Sequence, residues 1–321
     1  MRSAIRPLAV LLVGLSLAAC STGGGAASSP SASAAASPSA SASVAASASA
    51  SPSTAASTCT ATTLETKTAG KFTIGTDNPA YPPFFQVPAT GKATAPWELG
   101  DPTNGEGFES AFAFALAEQL GFAKDAVVWT VVPFDNAIAP GPKTFDIVVN
   151  QVSFTPERAQ AVDLSDGYYF NNQSVVGLKG TPITSAKAVA DLKPFKFGAQ
   201  IGTTSLDTIN NVIAPTAQAM VYNTNDDAVA ALKAKQIDGL VVDLPTAFYV
   251  TTAQVDDSVI VGQFPAPTGG DAEHYSVLLE KGSSLTSCIN EAIGALKDSG
   301  RLDAITKEWL SDKASAPAFT Q

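Results

Sequence analysis

Two stretches of this sequence follow the same plan. Asp135–Asn150 reads DNAIAPGPKTFDIVVN, and Asp226–Asp243 reads DDAVAALKAKQIDGLVVD. In each, a short helical piece leads to an apolar residue, an aspartate and an apolar run suited to a buried strand. Pro140 and Pro142 keep the first helical piece short. Around both copies, β-rich runs alternate with helical patterns. Lys71–Asp77, Ala126–Val132 and Phe145–Asn150 read as strands, and Gly107–Phe122 reads as a helix apolar around much of its circumference, hence well buried. Later, FKFGAQ, AMVY and IDGLVVD read as strands between the helical patterns SLDTINNVI and NDDAVAALKAKQ. The alternation predicts an α/β protein, and a plan used twice predicts two α/β units with a cleft between them. Open α/β sheets place ligands just beyond the carboxyl ends of their strands. That rule sets Gln151 after one copy and Asp243 after the other at the edge of the same cleft.

The ends of the chain constrain where it acts. Arg2 and Arg6 precede an apolar run, Leu8–Leu17, too short to span a bilayer as a finished helix. This is the pattern of a secretory leader, expected over residues 1–19. Its last residues, Leu17-Ala18-Ala19-Cys20, resemble the bacterial lipobox, which implies acylation of Cys20. Two acyl chains suffice for stable anchoring, so the expected location is the outer face of the bacterial cytoplasmic membrane, with contact through the lipid alone. Residues 20–58 are almost entirely Ser, Ala, Pro, Gly and Thr. Such a segment cannot bury enough surface to offset its ordering entropy and reads as a tether spanning roughly 30–40 Å.

The folded part is expected from Cys59 onward. Formal net charge is −10, and loss of Arg2 and Arg6 with the leader makes it −12. So acidic a chain is a poor partner for nucleic acid or an anionic membrane surface. Cys59 and Cys288 remain after Cys20, an even pair in an oxidising location, and are expected to form a disulfide. Two cysteines and the lone His274 are too few for a zinc site, and no cofactor motif is present.

Arginine occurs only at Arg2, Arg6, Arg158 and Arg301. Thr155-Pro156-Glu157 reads as a helix start, with Thr at the N-cap, Pro at the first position and an acid in the first turn. Arg158 therefore projects from a first turn just after a strand end. Its fork suits bidentate capture of a carboxylate. On the residues alone, an ion pair with Asp163 or Asp166 is an equal alternative.

The segments GTDNPAYPPFF, GFESAFAFALAEQLGF, FDIVVNQVSFTPERAQAVDLSDGYY, FGAQIGTTSLD, IDGLVVD and EKGSSLTSCINEAIGALKDSGRLDAITKEWL occur in that order. Together they resemble the family 3 extracellular solute-binding proteins, the amino-acid receptors of ABC importers, over essentially the whole chain after the tether. The resemblance implies a two-lobe, type II periplasmic-binding-protein-like fold with its ligand cleft between lobes joined by a two-segment hinge. The expected layout is a first lobe of residues 59–172 and 267–315, a second lobe of 173–266, and a tail of 316–321, with crossings near Tyr169–Gln173 and Ala266–His274.

The resemblance also implies roles. Arg158 would grip the ligand's α-carboxylate with help from Ser153 and Thr204, and Asp243 would take the α-ammonium. Asp77, Tyr81 and Phe134 would meet the side chain. Where family members often show small residues before the serine, this chain departs with Asn150 and Gln151, whose bulkier amides would narrow the pocket or bond that side chain. Gly202-Thr203-Thr204 opens a helix, where backbone N–H groups suit an anion. Asp77 has a second reading as the cap of a turn, and Phe134 as ordinary core. Trp97 and Glu98 lie in a long segment placed either over the cleft or outside it. His274 reads as structural and Arg301 as a surface residue. The implied partners are a free amino acid, polar or basic rather than acidic, and a membrane permease, with the protein itself a monomer. Two other readings stay open: an enzyme on the same fold, dehydratase- or lyase-like, and a sensor working through a separate signalling partner. No nucleophile–base pair supports the enzyme.

Overall fold

The computed structural model describes residues 59–265, 272–310 and 316–320. The leader, Cys20, the tether and part of the second expected crossing lie outside them. The chain begins in a first lobe: β1 (Phe72–Thr76), α1 (Phe108–Gln119), β2 (Val127–Val131), α2 (Phe134–Ile138), β3 (Ile147–Val148), α3 (Arg158–Ala161) and β4 (Asp163–Phe170). It then builds a second: β5 (Gln173–Leu178), β6 (Phe197–Gln200), α4 (Thr204–Asp207), β7 (Met220–Tyr222), α5 (Asn225–Lys233), β8 (Gly239–Asp243), α6 (Leu244–Tyr249) and β9 (Ser258–Gln263). It returns to the first through β10 (His274–Leu279), α7 (Thr286–Asp298) and α8 (Arg301–Leu310).

The repeated plan in the sequence is a repeated sheet. One sheet runs β2-β1-β3-β10-β4 and the other β7-β6-β8-β5-β9. In each, the first three strands pair in parallel and the last two pairings are antiparallel, so only the fourth strand is reversed. This is the type II two-lobe arrangement. β3 and β8, the strands that close the two sequence copies, hold equivalent places, and both end at the cleft.

Burial explains the strand composition. β5 and β8 lie inside the second sheet, so alternate residues face opposite cores. Val175 and Val241 join Phe197 on one face, while Val176, Leu240 and Val242 join Leu232 and Val250 on the other. In the first lobe, α1 buries Phe108, Phe112 and Leu116 against Phe72, Ile74 and the Ile289–Ile293 stripe of α7. α1 meets protein on nearly every side, as its sequence predicts. Cys59 and Cys288 form a disulfide with a Cα–Cα distance of 5.3 Å, fastening the first described residue to α7.

Two expectations change. The strand expected through Asn150 keeps only Ile147–Val148 in the ladder, because Gln151 turns to φ 48° and leaves the pleat. The expected tail is docked in the second lobe. Phe319 is buried against Phe264, their ring centroids 5.2 Å apart, over Gly262, where a Cβ would come within 2.7 Å of the Phe319 ring. Backbone bonds join Gln263 to Pro317 and Phe319, and Thr320 to Lys187 and Val189. An aromatic side chain and a row of free strand-edge groups give these residues more to gain from docking than from solvent. Among the described residues, no helix is long and apolar enough to cross a membrane.

Candidate functional site

One cavity between the lobes is lined by Asp77, Tyr81, Phe134, Gln151, Ser153, Arg158, Thr204 and Asp243 together. Asn150, the other bulky amide before Ser153, also lines it, as do Gln200, Asn225 and Thr246, which carried no signal in the sequence beyond their polarity. Trp97 packs in the first lobe's core and Glu98 is exposed, and neither lines the cavity. His274 stacks on Phe154 and fills the space above Gly167, a structural position, and Arg301 is exposed on α8.

Arg158 is placed by its own turn. The Thr155 hydroxyl accepts from the Arg158 N–H at 3.1 Å, the capping bond that the sequence predicts. The side chain is buried, with one terminal nitrogen donating to the Ser153 carbonyl at 2.5 Å and the other to the Gly202 carbonyl, in the opposite lobe, at 2.7 Å. The Phe134 ring lies 5.5 Å from the guanidinium carbon, so Phe134 serves both the core and the cavity. Burial draws the guanidinium's pKa down, and the carboxylates of Asp207, Asp243 and Glu273 oppose that. Five N–H donors less two leave three, enough to bind an anion in the cavity.

Asp243 ends β8 and accepts three hydrogen bonds: from Asn171 at 2.6 Å, Gln173 at 2.5 Å and the Tyr275 hydroxyl at 2.9 Å. Burial, and then the charge of Glu273, push its carboxyl up to about 7 against those bonds. A carboxylate has about four lone-pair sites, so one remains for a donor from the cavity. Asp77 directly follows β1 and accepts from the backbone N–H of Asn78 at 2.8 Å and of Phe134 at 3.3 Å. Burial raises its pKa. It therefore caps the local turn, the alternative its sequence position allowed, and lines the cavity as well. Burial and the nearby Asp226 of the second lobe push the Tyr81 hydroxyl well above its usual range.

The turn after β3 is supported from beneath. Gln151 sits at φ 48°, a left-handed conformation that is uncommon for a side-chain-bearing residue. The buried Glu109 of α1 accepts from its backbone N–H at 2.6 Å, from its side-chain amide, and from the Tyr168 hydroxyl at 2.5 Å. Burial raises Glu109 to about 7 in spite of these bonds. In the sequence Glu109 is only the acid at the entry of α1, and its place under the pocket wall was not legible there. Asn171, Gln173 and Glu273, within the expected crossings, and Tyr275 of β10 were likewise unmarked.

Thr204 opens α4, and its neighbour Thr203 caps the turn by accepting from Leu206 N–H at 3.2 Å. α4 has only four residues before the backbone widens into a π-type turn at Thr208–Ile213. So short a helix carries little dipole, and the helix-terminus argument for Thr204 loses its force. Its hydroxyl is 2.7 Å from Glu273.

The pattern that describes bacterial extracellular solute-binding proteins, family 3, matches residues 73–312, and the chain belongs to that family. It is 27% identical over 220 residues to the arginine-binding extracellular protein ArtP of Bacillus subtilis, covering 67% of this chain and 82% of that one. It is 26% identical over 246 residues to the L-cystine-binding protein TcyJ of Escherichia coli K12, covering 76% and 84%. Among solved structures, an ancestral arginine-binding protein bound to glutamine superposes with a TM-score of 0.61 at 29% identity, covering 76% of this chain and all of that one. An ancestral amino acid-binding protein described as a precursor of cyclohexadienyl dehydratase gives 0.58 at 26% identity, covering 75% and 95%. The protein is thus an extracellular solute-binding protein of the kind that serves ABC transporters.

Proposed function

We propose that the protein captures a free amino acid with a polar or basic side chain by closing its lobes, and delivers it to an ABC importer permease. The observation that carries this reading is the opposition of charges in one cavity. Arg158, from the first lobe, has three donors to spare, and Asp243, from the second, has one acceptor site to spare. A zwitterion stripped of water needs one partner for each charge. Arg158 takes the α-carboxylate and Asp243 the α-ammonium, so the ligand bridges the lobes. It favours the closed form because it touches both lobes only there. Asp77, Tyr81, Phe134 and Gln151 receive the side chain. The preference against an acidic side chain follows from Asp77 and from Arg158 being the sole cation lining the cavity among the described residues. Relatives named for arginine, cystine and glutamine binding agree with this class.

The reading includes secretion, acylation of Cys20, tethering through residues 20–58 and action as a monomer, without enzymatic turnover. The enzyme alternative draws on the dehydratase-precursor relative and on the carboxyl of Asp243 standing near 7. Against it, among the described residues no histidine, lysine or cysteine lines the cavity, and the Ser153 and Thr204 hydroxyls meet a carboxylate, Glu273. A thermal-shift screen of the purified protein against the common amino acids tests the proposal. A ligand at 100 times its Kd adds about 2.7 kcal/mol and raises the midpoint by a few degrees. The expected result is a clear shift with one or a few polar or basic amino acids that is lost in Arg158→Ala. No shift with any of them overturns the reading, and turnover of a candidate acid replaces it with the enzyme.

A further inference from the structure

Glu273 stands at the end of the second crossing, immediately before β10, and its carboxylate reaches into the back of the cleft. Three donors converge on its Oε1. They are the Ser153 hydroxyl at 2.7 Å, the Thr204 hydroxyl at 2.7 Å and the Gln173 amide at 3.0 Å. Ser153 belongs to the first lobe's turn after β3. Thr204 and Gln173 belong to the second lobe, at the start of α4 and of β5. The residue's own backbone is fixed, because its carbonyl accepts from Asn171 N–H at 2.9 Å and so ties the two crossings together.

We infer that Glu273 is a built-in clamp, a carboxylate of the chain itself that draws the two lobes together across the hinge. The geometry has two consequences. A hydroxyl has one proton, and both Ser153 and Thr204 give theirs to Glu273. In this arrangement they turn lone pairs to the cavity, so binding a carboxylate through either hydroxyl requires that hydroxyl to leave Glu273. The two residues that the family resemblance assigns to the ligand's carboxylate are engaged by an internal one. The second consequence is mechanical. Ser153 and Thr204 lie 3.5 Å apart, oxygen to oxygen, and opening the hinge separates them, so a single carboxylate cannot keep both bonds in an open form. Each open state forfeits at least one charge-assisted hydrogen bond, the stronger kind.

Glu273 is also wired to the other end of the cavity. Gln173 donates to both Glu273 and Asp243, and its carbonyl oxygen accepts from Ser205 at 2.7 Å. One amide thereby fixes the distance between the chain's own carboxylate and the one proposed for the ammonium. Glu273 is a positioning residue that acts through Ser153, Thr204 and Gln173.

The test measures lobe separation without any amino acid, so it stands apart from the proposed ligand. Spin labels at Asn136→Cys on α2 and Val212→Cys after α4, both exposed and on opposite lobes, report the distance by pulsed electron resonance. In the extensively dialysed protein, the clamp predicts a population at the short, closed distance beside the open one. Glu273→Ala shifts the distribution to longer distances. Thr204→Val, which removes the donor from the other lobe and leaves the charge, produces a shift of the same sign. Glu273→Gln, which keeps an accepting oxygen, lies between. If Glu273→Ala and Thr204→Val both keep the parent distribution, the clamp is wrong. A shift in Glu273→Ala alone also overturns it and leaves only a charge effect. Should Glu273→Ala fail to fold, Thr204→Val carries the same decision. A flat amino-acid screen would count against the proposed ligand and leave the distance result standing.

Discussion

Lowering the pH should loosen the ligand in a way the pocket specifies. Asp243 must be ionised to hold an ammonium, and burial beside Glu273 has moved its carboxyl up to about 7. The ligand binds only the ionised form, so the apparent Kd rises by the factor 1 + 10^(pKa − pH). That is roughly 2-fold at pH 7, about 10-fold at pH 6 and on the order of 100-fold at pH 5, relative to pH 8 and above. The α-carboxylate and Arg158 do not titrate in this window, so they leave the slope unchanged. Calorimetric titration of the amino acid found in the screen, from pH 8.5 to 5, reads the slope directly. Repeating the titration at pH 6 in two buffers of different ionisation heat should show close to one proton released per ligand bound. Glu109, also raised to about 7, lies under Gln151 and contacts no ligand group, so Glu109→Gln should preserve the slope, whereas Asp243→Asn should bind weakly and without pH dependence. A constant Kd between pH 8 and 5.5 with no proton release would refute the assignment of Asp243. The sign reverses for folding. An acid that ionises near 3.8 unfolded and near 7 folded favours the folded state most below about 4, and that contribution is lost as the pH climbs to about 7.

Arg158→Lys keeps the charge but cannot satisfy the Ser153 and Gly202 carbonyls and a bidentate ligand from one nitrogen. Losing one charge-assisted bond at about 1.5–3 kcal/mol should weaken binding by roughly 10- to 100-fold in the same titration. Opening the Cys59–Cys288 disulfide, which closes a separation of 229 residues, should remove roughly 5 kcal/mol on the loop-entropy account. Scanning calorimetry of Cys59→Ala/Cys288→Ala checks it, and a midpoint unchanged within a degree or two would show that the closed loop adds nothing. Phe319→Ala empties the socket over Gly262 and should cost about 3–5 kcal/mol by denaturant unfolding, with a value near zero marking the tail as undocked in solution.

What the sequence made legible was local. Arg158 and Asp243 stand out because each is a charge just past an apolar strand, and the repeated plan around β3 and β8 survives as two sheets of the same order. What it hid was set by pairing between distant strands. Gln173 faces Asp243 because β5 runs antiparallel to β8 in that register, and Tyr275 reaches Asp243 because β10 crosses back beside Ser153. No periodicity within one segment carries that information. Glu273 lies next to His274, which drew attention as the lone histidine, yet the glutamate meets the pocket residues. Gln151 ended a strand early because a buried glutamate more than forty positions away, Glu109, accepts its backbone N–H. The tail offered one cue, an aromatic Phe319 among small residues, and its partner was a glycine, which advertises nothing.

The docking of that tail leaves the folded chain with its two ends in different lobes. Cys59 is locked to α7 of the first, and Thr320 is laced to Lys187 and Val189 of the second. A pair of fluorophores carried at the two ends would therefore travel with opposite halves of the molecule. The proposed lobe closure would then become an optical signal with every pocket residue untouched.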